Sequence, residues 1–143
     1  MEIPAKVRRD ILEEEIKKFE NIVKDFKSLF IKHLEKSEQK SKVIEKNFDE
    51  TMASISFHKS FLESYIETGS EKDWDNAMLV LGDLIRGPLH RLENEALRLE
   101  DKDLHRIIVD FESKIFEYQA VLNRCLKEIV GVMKAAIRSL KDE

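Results

Sequence analysis

From Leu104 onward, alternate steps of four and three residues meet Leu104, Ile108, Phe111, Ile115, Tyr118, Leu122, Cys125, Ile129, Val132 and Ala136. A hydrophobic period of 3.5 held through these ten positions calls for a long helix whose apolar stripe packs against other helices in coiled-coil fashion. A strand would instead need a period of two. Ile107, Val121, Leu126, Met133, Ile137 and Leu140 flank the seam and widen it, so burial against more than one neighbour is expected. Asp101 and Asp103 precede it as N-cap candidates, where a carboxylate also suits the positive end of the helix dipole.

The same spacing recurs upstream. After Pro4 it runs Leu12, Ile16, Phe19, Val23, Phe26, Phe30, then meets His33, Ser37 and Lys40 before resuming at Ile44 and Phe48. A turn near 37–41, with Ser37 or Ser41 capping the next helix, explains the lapse. The second segment carries Ile44, Phe48, Met52, Ile55, Leu62, Tyr65 and Ile66 and stops at Thr68-Gly69-Ser70. Ser70 with Asp73 three residues on approximates a capping box. A third stripe, Trp74, Met78, Leu81, Ile85, Leu89, Leu92, Ala96 and Leu99, is interrupted by Gly87-Pro88. There Pro88 lacks an amide donor and crowds the carbonyl of Leu84, which predicts a kink.

The expected architecture is all-α: one domain spanning residues 1–143, with helices near 5–36, 41–67, 71–99 and 103–141, the third kinked at Gly87-Pro88. Short connections make successive helices antiparallel, giving an up-down-up-down four-helix bundle. If the turn near residue 39 is absent, residues 5–67 form one rod of roughly 95 Å, which buries its face only in an intertwined dimer. With four Gly, two Pro and 38% charged residues, the composition suits long helices and is too rich in spaced apolar residues for disorder.

The charge is uneven. Residues 1–46 are net +2, residues 47–117 net −8 and residues 118–143 net +2. The acidic middle argues against nucleic acid, whose binding needs clustered cations; an imbalance this mild reads first as a solvated mixed-charge surface, and secondarily as one that the basic arm of another copy could meet. Cys125 is the single cysteine, so no internal disulfide forms, and a cytoplasmic location is expected. No apolar run reaches the length of a membrane span and the first residues lack a signal-peptide core.

No site for a metal, cofactor or catalytic group emerges. Carboxylate-bridged di-metal bundles need Glu-x-x-His on two helices. The residues three before His33, His58, His90 and His105 are Phe30, Ile55, Gly87 and Lys102. His33 and His58 fall on seam positions in different layers and are expected to be hydrogen-bonded rather than reactive. The Glu-Glu-x-x-Glu motif of the helical nucleotide pyrophosphatases fails here, because Glu13-Glu14-Glu15 leads to Lys17 and Lys18. Those residues instead form supportive i,i+4 pairs.

Small helical-bundle RNases of the HEPN class carry Arg, a short spacer, then His near the start of a late helix. Arg98 and His105, six residues intervening, resemble that pattern. The resemblance implies a metal-independent RNase in which His105 moves protons and Arg98 stabilises phosphate charge. Against it, Leu99 stands where a polar residue is usual, and Glu100, Asp101 and Asp103 lie in between.

Broad apolar stripes without a catalytic constellation give a different leading expectation: a non-enzymatic protein–protein interaction or regulatory scaffold module, self-associating as a homo-oligomer. Phe57, Phe61 and Phe116 fall beside the main seams and are the expected contacts for a partner or a second copy. A peripheral lipid-binding bundle is the remaining alternative, disfavoured by the acidic middle.

Overall fold

The computed structural model describes residues 4–142. Helix α1 spans Ala5–Lys36, α2 Lys42–Thr68 and α3 Glu71–Leu84. A π-helical turn, Ile85–Leu89, joins α3 to α4, His90–Arg98, and α5 spans Lys102–Asp142. Since α3, the π turn and α4 run on as one rod, the described residues form four antiparallel rods. Each rod packs on the next in chain order, and α5 closes the ring against α1. The expected four-helix bundle is present, with boundaries one residue or so from those read off the periodicity.

The rod over residues 5–67 is not found. Ser37 leaves the helical region (φ −84°, ψ 135°) and Ser41 caps α2, its hydroxyl accepting from the Ile44 amide at 3.3 Å. The polar interruption therefore marks a real turn, because a helix through Ser37 and Lys40 would put polar groups on the buried stripe. The kink at Gly87-Pro88 takes the form of the π turn. The wider turn accommodates the donor that Pro88 lacks and keeps Pro88 and Leu89 buried without ending the rod. The capping box at Ser70 is a second correction: its side chain makes no cap bond. Asp73 is instead drawn back to α2, accepting from Ser64 and Thr68 hydroxyls at 2.9 Å each. At the next turn Asp101 does cap α5, accepting from the Leu104 amide at 3.1 Å.

Aromatic pairs fix the layers of the core. Phe19 stacks on Tyr118 with centroids 4.1 Å apart, and Phe26 on Phe111 at 3.9 Å, which joins α1 to α5. Phe30 stacks on Phe48 at 4.4 Å, and Tyr65 meets Trp74 edge-on at 5.0 Å. Such pairs add to the transfer free energy of the large side chains they bury. At the end of the bundle holding the start of α1, the Arg8 Nε donates to the Ile66 carbonyl at 2.8 Å. This satisfies a terminal carbonyl of α2 where the helix dipole is negative. Gly69 (φ 68°) follows, and a Cβ there would lie 2.9 Å from the Arg8 guanidinium, so only glycine serves both the turn and the clasp.

Candidate interaction surface

The four rods do not end together. Cys125 Sγ lies 3.9 Å from the Ile11 carbonyl oxygen. In antiparallel register Ala5, six residues before Ile11, stands level with Gly131, six after Cys125. Helix α1 begins at that level, while α2 ends at Thr68 and α3 begins at Glu71 at the same end. Helix α5 continues to Asp142, an overhang of about 16 Å at 1.5 Å per residue.

The apolar stripe continues along that overhang without a partner among the described residues. Leu122 and Ile129 are buried, but Val132, Met133, Ile137 and Leu140 are 38–52% exposed. Burial of the seam thus runs to Ile129 and stops after it, where the neighbouring rods end. A Cβ added at Gly131, on the side of the helix away from the stripe, would meet nothing within 4 Å. Between Gly131 and Asp142 the charged residues are Lys134, Arg138 and Lys141 against Asp142. The overhang is a basic amphipathic helix end.

The three expected contact residues separate. Phe57 is 60% and Phe116 55% exposed, whereas Phe61 is half-buried against the core. Phe57 and Phe61 lie on α2 and Phe116 on α5, rods that face each other diagonally and share no packed edge. They do not make one patch. Leu29, Leu79 and Leu97 are comparably exposed and sit singly on other helices.

Polar chemistry in the interior centres on a few pairs. His58 is fully buried, with Nδ1 2.9 Å from the Ala77 carbonyl and Nε2 2.8 Å from the Tyr118 hydroxyl. Nδ1–H donates to the carbonyl and Nε2 accepts from the phenol, so the neutral ring is satisfied at both nitrogens. Burial outweighs the Ala77 bond and pushes its pKa down to about 4, and the same burial raises Tyr118. His33 Nε2 donates to Asp101 Oδ2 at 2.6 Å, tying the end of α1 to the turn before α5. Burial pushes Asp101 up, but the His33 bond and the Leu104 amide outweigh it and hold the carboxyl below its ordinary value. Both histidines are accounted for by structure, in separate layers. Glu13–Lys17 and Glu14–Lys18 form i,i+4 pairs at 3.6 and 3.9 Å.

Arg98 and His105 each pair with a different carboxylate. Arg98 pairs with Glu95, which also accepts from the Ser41 hydroxyl at 2.6 Å. His105 Nε2 lies 3.5 Å from Glu93 Oε1. Among the described residues no hydrogen bond or ion pair joins Arg98 to His105.

Sequence periodicity did not single out Glu112, which faces Glu93 across α4 and α5. Its Oε1 is buried with no donor. Burial first, then the nearby Glu93 carboxylate, raises the Glu112 pKa to about 7. A proton on Glu112 lets it donate to Glu93, which resolves the apparent orphan. Neither carboxylate belongs to a local motif, and only the α4–α5 register brings them together. Among the described residues no three His, Cys, Asp or Glu side chains are grouped to hold a metal ion, and no helix is long and apolar enough to cross a membrane.

No family model matches the chain, and neither a curated protein nor a solved structure matches it.

Proposed function

We propose that this bundle is a non-enzymatic protein–protein interaction or scaffold module that associates with further copies of itself through the free end of α5. The observation behind this reading is the overhang: Val132, Met133, Ile137 and Leu140 prolong the core stripe past the point where the neighbouring rods cover it. A second copy is the favoured occupant because the overhang is basic and residues 47–117 of the same chain are net −8. Each of those four side chains is already about half covered, so burying the remainder yields roughly 1 kcal/mol apiece. Such a gain, set against the cost of association, makes the assembly weak and concentration-dependent.

Sedimentation velocity over a dilution series reaching several hundred micromolar tests it. The expected outcome is a weight-average mass that rises with concentration. The double variant Ile137→Glu/Leu140→Glu should stay monomeric with unchanged near-ultraviolet circular dichroism. A wild-type chain that remains strictly monomeric throughout would remove the reading.

A further inference from the structure

We infer that the free end of α5 docks on the acidic α4–α5 flank of a second copy, around Phe116, rather than on the other copy's own overhang; this rests on the self-association proposed above. Two overhangs laid side by side would bring together two segments each holding Lys134, Arg138 and Lys141 against Asp142, a net +2 apiece. Like fields at that distance, about one Debye length, oppose the encounter.

The flank offers the opposite. Val109 and Phe116 stand seven residues apart on α5, two helical turns, and so line one face. They are 38% and 55% exposed. Glu112 lies between them on the same stripe, Glu93 faces Glu112 from α4, and Glu117 adjoins Phe116. This is an apolar ridge beside the Glu93 and Glu117 carboxylates, with Glu112 holding its proton toward Glu93 and Arg106 one turn before Val109, and the apolar face of the overhang is a matching surface backed by cations.

Those cations stand on the sides and back of the overhang helix rather than within its apolar face. Lys134 and Arg138 are two residues either side of Ala136, about 160° around the helix from it. They add a field and speed encounter, while the contact itself is made by apolar groups. A contact between two different surfaces is heterologous. Every copy carries one free end and one flank, so growth does not stop at two unless a ring closes.

Two variants, each missing one surface, separate this from other modes of association. Ile137→Glu/Leu140→Glu removes the end, and Phe116→Gln/Glu117→Lys removes the flank. Each should be monomeric alone. Mixed in equal amounts, they should form a one-to-one heterodimer and nothing larger, because only one intact end and one intact flank remain. Wild type should pass beyond dimer, and raising ionic strength from about 0.05 to 0.5 M should slow its association several-fold with little change in dissociation.

If the flank variant associates as wild type does, or the mixture stays monomeric while wild type assembles, the docking mode is overturned and self-association stands. A monomeric wild type that instead floats with anionic phosphatidylserine vesicles, and loses this on Ile137→Glu/Leu140→Glu, overturns both. Far-ultraviolet melting curves of both variants confirm the fold, and Phe116→Gln alone serves if the double substitution unfolds.

Discussion

Helix α5 repeats one apolar pattern over its whole length, yet its two parts live in different surroundings. Between Leu104 and Ile129 the seam residues are covered by the neighbouring rods, with Phe111 and Tyr118 stacked on Phe26 and Phe19. Past Gly131 the same pattern is partly open to solvent. A hydrophobic period records that a helix has a face. What covers the face depends on where the other rods stop, and that depends on register between helices far apart in the chain.

The sharpest way to break this comparison is to truncate equivalent residues in the two parts. Leu122→Ala should cost about 3–4 kcal/mol by urea denaturation, because it opens a cavity in a fully buried layer. Ile137→Ala should change the unfolding free energy of the dilute monomer by less than about 0.5 kcal/mol. Similar costs for the two would mean that the overhang is folded back on the bundle in solution.

A second test uses pH, since the covered part holds buried titratable groups and the described residues of the overhang hold none. His58 titrates near 4 when folded against an ordinary 6.5, so between those values the unfolded chain binds the proton that the native chain refuses. Stability should therefore fall by about 3 kcal/mol as pH drops from 6.5 to 4. Glu112 has the opposite sign. With a folded value of about 7 against 4.5, the native chain keeps its proton longer, and stability declines as pH rises from 4.5 to 7. Because Glu112 is only partly buried, solvent screening limits this limb to about 1 kcal/mol. Urea midpoints measured from pH 4 to 8 should show both limbs, and Glu112→Gln should abolish the shallower one alone. A flat profile would contradict the burial of the His58–Tyr118 pair.

The smallest effect belongs to the overhang. Gly131 is a helical glycine at which an added methyl group would meet nothing within 4 Å, so Gly131→Ala should gain only helix propensity, about 0.5–1 kcal/mol. The gain should appear as slower amide exchange over residues 131–141 with the global unfolding midpoint unchanged. A shift in that midpoint would show that the end of α5 unfolds together with the bundle.

Local chemistry was legible wherever a feature is written in adjacent residues. The lapse at Ser37 and Lys40 marked the α1–α2 turn, Gly69 the next, and Asp101 the cap of α5. Pro88 announced a distortion but not its form, since a π turn differs from a kink by how one extra residue is absorbed. Ser70 misled because Asp73, its expected partner, has two hydroxyl donors on α2 that lie close only once the rods pack. Glu93 and Glu112, and the bare end of α5, were illegible for the same reason. Both follow from the alignment of one rod against another, which no short motif encodes.

The register that leaves the end of α5 bare also sets the chemistry of labelling. Cys125 is buried at the base of the overhang, and burial raises its thiol, so it reacts slowly with thiol-directed reagents near neutral pH. A cysteine placed at Gln39, in the exposed turn at the opposite end of the bundle, would take a fluorophore selectively. The dye would then report assembly from the far end of each rod, clear of both surfaces it is meant to watch.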